Sequence, residues 1–313
     1  MDRNTDYMAI YKNISAKMKR RFLKKPNVAE GRDQFASLAK NLGQQDCPSY
    51  AAFCSLAQAR CEHVLGNNSG EVQCLLEAAH FFVLAEKQST DLLCPSYEEN
   101  LTAGINCYEH AVKVSLEAGE PALAACHCQE LATVLMDFKK PSEARIHFQR
   151  AAELQLQNPV ECLQNMKKVA ACRVKESDLE GALTILTEMQ FLAQERGGVA
   201  GSEKPLGVYA DIILHCELQR VLLLMILQPT PQRIRPEHAQ TLEKYAWQTN
   251  NDEYNYIVDL FDIDLFLLLQ SLVMSCQSND IDGLRFLQTE LMSKLDKEEN
   301  ELVHMIVELY LNK

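Results

Sequence analysis

Three residues constrain this chain more than any others: Ala144, Phe148 and Ala151, at i, i+4 and i+7 within PSEARIHFQRAAELQ. That spacing puts all three on one stripe of a helix. A small residue at either end of such a stripe lets a neighbouring helix approach, and the aromatic between them fills the gap. Gly104, Tyr108 and Ala111 repeat the pattern upstream. Ala182, Leu186 and Met189 repeat it more weakly downstream. Gly104 to Ala144 is 40 residues and Ala144 to Ala182 is 38. A period of that length is the mark of stacked helix pairs. Such arrays usually hold another protein, not a reacting molecule.

Leu131, Ala132 and Leu135 in ELATVL stand at the matching positions of the helix before Ala144. Taken together these are the packing positions of a tetratricopeptide-type repeat. The expected fold is therefore all-α, built of stacked antiparallel helix pairs. Gly and Pro are scarce, 12 and 10 among 313 residues, and 47% of side chains are hydrophobic. No run of alternating Val, Ile and Thr suggests a strand.

Capping and breaking residues predict the element order. Helices are expected at about 6–25, 28–42, 48–66, 71–87, 99–117, 121–138, 142–157, 159–175 and 179–196. Pro121, Pro141 and Pro159 sit near helix starts, where a missing N–H costs nothing. Asp178 and Asp280 are expected N-caps. The glycine-rich stretch from Gly197 predicts a flexible break, which divides the chain into an array at 1–196, a linker at 197–207 and a C-terminal helical region at 208–313. There, 206–227 is apolar on nearly all sides and should be a buried helix, followed by helices at about 236–248, 258–277, 280–295 and 297–311. The longest apolar run, Val221 to Leu227, is far too short to span a bilayer. The N-terminus lacks the apolar core of a secretory signal. Twelve cysteines in helical patterns, such as Cys47, Cys54 and Cys61, then read as reduced and buried, in a cytosolic or nuclear protein.

Charge is unevenly spread. The net charge is −12, yet residues 1–40 hold ten basic and four acidic side chains, a net +6, which leaves −18 for the rest. Nucleic acid is an unexpected partner for so acidic a body. The basic pole is Lys17, Lys19, Arg20, Arg21, Lys24 and Lys25. It reads as a solvated helix face, a contact for an acidic partner, an import signal or an anionic-lipid contact. The acidic pole is Asp252, Glu253, Asp259, Asp262 and Asp264, with Tyr254, Tyr256 and Phe261 interleaved. These carboxylates read as ordinary surface charges or as a contact for a basic partner, and the aromatics among them add weight to an interface.

Signs of chemistry are lacking. There is no phosphate-binding glycine loop, nucleophile elbow or zinc-protease pair. Cys126, His127 and Cys128 are adjacent, so on a helix they point about 100° apart and do not converge on a metal. His110 and His147 lie beside the packing stripes and read as surface or interface histidines. No catalytic, cofactor or metal residues are expected.

Four stretches carry a resemblance across the chain: RRFLKKPNVAE (20–30), FQRAAELQLQ (148–157), PEHAQTLEKYAW (236–247) and LFLLLQSLVM (265–274). They resemble the forty-kilodalton huntingtin-associated protein family, also called the factor VIII intron-22 protein family. This chain departs from the longer proline-rich insertion of the vertebrate members at its short stretch 197–206. The resemblance implies a tetratricopeptide-like right-handed α-solenoid, similar to soluble NSF attachment proteins. It implies a non-catalytic scaffold that binds huntingtin, a HEAT-repeat protein, as a one-to-one heterodimer and stabilises the complex. It further implies a link to early endosomes through a Rab GTPase, in a protein that the cysteines already place in the cytoplasm or nucleus. The alternative is a vesicle-trafficking adaptor that binds SNARE bundles or a GTPase without huntingtin.

Overall fold

The computed structural model describes residues 6–19, 27–198, 205, 207–230, 232–245 and 260–312. Among them are fourteen α-helices and no strand. They are α1 (Tyr7–Met18), α2 (Val28–Gly43), α3 (Pro48–Leu65), α4 (Asn68–Asp91), α5 (Glu99–Glu117), α6 (Pro121–Asp137), α7 (Pro141–Leu154), α8 (Pro159–Lys175), α9 (Leu179–Gly197), α10 (Gly207–Leu227), α11 (Pro236–Glu243), α12 (Ile263–Ser278), α13 (Ile281–Leu291) and α14 (Lys297–Leu311).

Local chemistry accounts for the ends of these helices. Asp6, Asn27, Asn67, Asp178, Asp280 and Asp296 each accept a hydrogen bond from an otherwise orphan amide at a helix start. Asp296 and Glu299 do so reciprocally, as a capping box. Among the described residues, seven helix ends close with the paired bonds of the Schellman motif around a left-handed residue: Asp46, Gly66, Leu93, Gly119, Lys139, Ser177 and Asn279. The expected boundaries shift where such caps outweigh periodicity. α4 starts at Asn68, because Asn67 accepts from the Gly70 amide, and it runs on to Asp91 instead of ending near residue 87. Cys47 lies just before α3 and not on its face. The helix expected at 236–248 is described as 236–243, and that expected from 258 begins at Ile263.

Contacts divide the chain into two compact units, 1–140 and 141–313, so the stretch 197–207 falls inside the second unit. In the first unit each helix from α1 to α6 packs on the next. Two ion pairs also tie α4 to α6: His80 to Glu130, and Lys87 to Asp137 at 2.9 Å. Both span 50 residues, so α4 and α6 run parallel as the corresponding helices of successive hairpins. Gly104 faces α4, where an added methyl would meet Val83 and Ala79 at 3.4 and 3.5 Å. The site has room for one methyl, which is what Ala144 and Ala182 carry at the matching positions.

In the second unit α7 to α10 pack in sequence. α10 then serves as the hub, meeting α8, α11 and α14 as well, while α12, α13 and α14 pack in order. Every residue from Cys216 to Met225 is buried, Glu217, Gln219 and Arg220 included, as expected of a helix packed on all sides. Ala144 is fully buried on α7. Ala144→Trp is expected to cost about 1–3 kcal/mol by overpacking, read as a lower midpoint of urea unfolding. An unchanged midpoint would mean the stripe is not packed.

Candidate partner-binding surface

The repeat positions are interior. Leu131, Ala132, Leu135, Ala144, Phe148, Ala151, Tyr108, Ala111, Ala182, Leu186 and Met189 are all buried, and Gly104 is buried on α5. They build the scaffold and offer nothing to a partner.

Of the basic pole, Lys17 and Lys19 are described and exposed; Arg20, Arg21, Lys24 and Lys25 lie outside the described residues. Lys17 borders a depression of mixed lining, with Ile10 and Leu38 beside Asn13, Gln34 and Asn41. Beside α1 there is also an apolar groove of about 490 Å³, lined by Tyr7, Met8, Tyr11, Leu42, Tyr50 and Phe53.

Of the acidic pole, Asp252, Glu253, Tyr254, Tyr256 and Asp259 lie outside the described residues. Asp262 and Asp264 are exposed at the start of α12 and share Lys294, whose Nζ lies 3.5 and 3.6 Å from them. Phe261 is not part of this surface. It is buried, with its ring 6.3 Å from that of Phe266. Helical phase exposes Ile263 and Leu267 instead, one turn apart on α12. The apolar residues beside these carboxylates are therefore aliphatic.

The charged groups that look most like chemistry are tied between helices. His80 bonds Glu130, which also accepts from the Tyr108 hydroxyl at 3.0 Å. The bond to Glu130 raises the pKa of His80, and in return His80 holds Glu130 low. Glu71 is buried between His63, at 2.9 Å, and His110, at 3.7 Å. Cys126 is exposed, whereas His127 and Cys128 are buried, so the three do not converge. Burial lowers the pKa of His127. It pushes the thiols of Cys54, Cys107 and Cys172 up to about 11, and those of Cys74 and Cys216 up to about 12. Such thiols stay protonated and unreactive.

Two clusters were not legible in the sequence. On the hub helix, Glu217 is fully buried. It accepts from Gln190 at 2.9 Å and Lys244 at 2.7 Å, and it pairs with buried Arg220 at 3.4 Å. Arg220 also bonds Gln190, the carbonyl of Glu237 at 3.5 Å and His238 Nδ1 at 3.3 Å. The cluster ties α9, α10 and α11 together. Burial lowers the Arg220 pKa; burial and then Arg220 lower that of His238. The second cluster is His215 with Asp296 and Glu299, three groups close enough to bind a metal. Ordinary contacts already engage them. His215 Nδ1 lies 2.8 Å from Glu299, both carboxylates serve the α14 capping box, and Lys167 stands 3.8 Å from Asp296. A sequence scan for ligands misses it because 81 residues separate His215 from Asp296.

The shifted histidines have opposite effects. His80 binds its proton more tightly when folded, so its contribution is full below about pH 6.5 and is lost as pH rises through its higher folded value. His127 and His238 are the reverse: their neutral forms are favoured, and stability is lost as pH falls below about 6.5. NMR titration is expected to place the His80 midpoint above, and the His127 and His238 midpoints below, that of an unfolded histidine. Any reversal would contradict the contacts described.

Stacked helix pairs, thiols kept protonated by burial and ionic groups bound between helices define an all-α helical-repeat protein. A scan against protein-family models matches none. The chain is 40% identical over 351 aligned residues to the 40-kDa huntingtin-associated protein of Mus musculus, covering 97% of this chain and 92% of that one; the Rattus norvegicus protein gives the same figures. The chain belongs to this 40-kDa huntingtin-associated protein family. The alignment exceeds the chain's own 313 residues, so the relatives carry segments absent here. Solved structures matched in part include BtubC (BKLC) from P. vanneervenii, covering 80% of this chain and 94% of that one, and a circular tandem repeat protein, covering 91% and 76%. Both are 12% identical with a TM-score of 0.37, a value that adds nothing to the fold argument. No helix of the described residues is long and apolar enough to cross a membrane.

Proposed function

We propose that this protein binds huntingtin and serves as a non-catalytic scaffold subunit of that complex. The observation that carries the reading is 40% identity across nearly the whole chain to relatives named for huntingtin association. The structure supplies compatible features. Its ionic clusters are tied up between helices, and exposed apolar residues stand beside charged ones at the start of α12. Residues 1–140 hold 15 basic and 17 acidic side chains, net −2, and residues 141–313 hold 16 and 26, net −10. A partner with a basic face suits the second unit, and affinity should fall as salt rises. The proposal includes one-to-one stoichiometry and stabilisation of each protein by the other through mass action. It places the protein in the cytoplasm, at early endosomes through a Rab GTPase, and in the nucleus.

The test is co-expression with huntingtin, followed by size-exclusion chromatography with mass measurement at two salt concentrations. A single peak at the summed mass of one copy each is expected. Separate elution at physiological salt would overturn the reading. Capture of SNARE bundles by the protein alone would favour the vesicle-adaptor alternative.

A further inference from the structure

The end of α4 breaks a rule that the other helix ends obey. Six of the seven Schellman motifs place Gly, Asn, Asp, Ser or Lys at the left-handed position; the seventh places Leu93 there, at φ 54°. A left-handed backbone strains any residue with a Cβ, and a large apolar one gains no local hydrogen bond in return. Leu93 is also 90% exposed. Leu92 before it is 74% exposed and Tyr97 after it is 91% exposed.

This apolar tip is held in place. The Cys94 amide bonds the Ser89 carbonyl at 2.9 Å and the Leu93 amide bonds that of Thr90 at 3.0 Å. Buried Glu86 accepts from the Ser96 hydroxyl at 2.7 Å and from the Leu101 amide at 3.3 Å, which anchors the far side of the loop. The residues that build the turn are satisfied, while its large side chains face water. Neighbouring charges nearly cancel: Lys140 pairs with Glu98 at 2.7 Å and Lys87 with Asp137 at 2.9 Å; Lys139 adjoins Lys140 in sequence, and Asp91 and Glu99 adjoin the loop in sequence. Three lysines against four carboxylates give no attraction to an anionic bilayer. They also give none to a strongly charged protein face.

We propose that Leu92, Leu93 and Tyr97 form a preorganised apolar knob that inserts into an uncharged pocket on a protein partner. The partner taken here is huntingtin, so the proposal rests on the functional reading above. It deepens that reading by separating a salt-insensitive anchor from the salt-sensitive charged surfaces. A rigid tip of this kind loses little conformational freedom on docking, and buried aromatic and large aliphatic anchors dominate interface energetics.

The experiment measures binding of purified huntingtin to the full-length chain and to Leu93→Gly and Tyr97→Ser. Leu93→Gly should raise the melting temperature by about 1–2 °C, because glycine relieves the left-handed strain. It should nevertheless weaken binding at least about tenfold. Tyr97→Ser should leave the melting temperature unchanged and weaken binding similarly. Both losses should be the same at low and high salt. Alkylation of Cys94, which is exposed on the same loop, should slow in the wild-type complex while that of exposed Cys126 gives the comparison. Undiminished affinity in both variants, or Cys94 reacting equally fast in the complex, would overturn the knob. So would self-association of the wild type that Leu93→Gly abolishes, or tip-dependent binding to phosphatidylserine vesicles. If the wild type itself does not bind huntingtin, the functional reading fails along with the occupant named here, and the wild-type measurement alone reveals it.

Discussion

Glu217→Ala is expected to lower the free energy of unfolding by about 3–5 kcal/mol, the usual cost of removing one partner from a buried ion pair. Glu217 is fully buried and is the anion shared by Arg220 and Lys244. Without it, Lys244 can turn toward solvent, but Arg220 is held inside by Gln190, by the Glu237 carbonyl and by His238. Its charge would then be uncompensated. Glu217→Gln keeps a carbonyl acceptor without the charge and should cost less. Adding Arg220→Met to Glu217→Ala should recover part of the loss, since the orphaned cation is gone. Urea unfolding followed by circular dichroism gives the stabilities. Amide exchange should also quicken in α11, which this cluster ties to α10. A single substitution costing under about 1 kcal/mol, the worth of an exposed pair, would show that the cluster is solvated.

Phe148→Ala should be about as costly, roughly 3–5 kcal/mol, through loss of buried area and the cavity left behind. Phe148 is buried between Ala144 and Ala151 on the packing stripe of α7, and Lys168 Nζ of α8 lies 5.2 Å from its ring centroid. The substitution removes both the filling of the stripe and this cation–π contact. Phe148→Leu keeps much of the volume and should cost distinctly less. Because Phe148 is interior, binding should weaken only in proportion to the fraction of folded protein, which equilibrium binding at several temperatures checks. If Phe148→Ala abolished binding with stability intact, the division drawn between packing stripe and partner surface would be wrong.

Exposure at the candidate surface is only partly legible in the sequence. Lys17, Lys19, Asp262 and Asp264 are exposed, as charged side chains generally are, even where, as at Asp262 and Asp264, apolar residues surround them in sequence. An aromatic among carboxylates, such as Phe261, looks the same in sequence whether it faces in or out; its packing against Phe266 decides the matter. The role of Leu93 is hidden in the sequence for a related reason. The composition of the loop after α4 does not show which residue takes the left-handed turn, and only that conformation makes a leucine there unexpected.

What the chain's own order of residues determined was helical identity and the packing stripe that each repeat helix carries. Both rest on interactions within a turn or two: i to i+4 stripes, side-chain caps such as Asp178 and Asp280, and proline at first helical positions. The tertiary structure alone decided that Glu217 and Arg220 are interior, that α10 is the hub of the second unit, and that the division between units falls at residue 140. Those outcomes depend on residues tens of positions apart meeting across helices. Burial, which sets the cost of a charge or the worth of an apolar side chain, belongs to that meeting and not to local spacing.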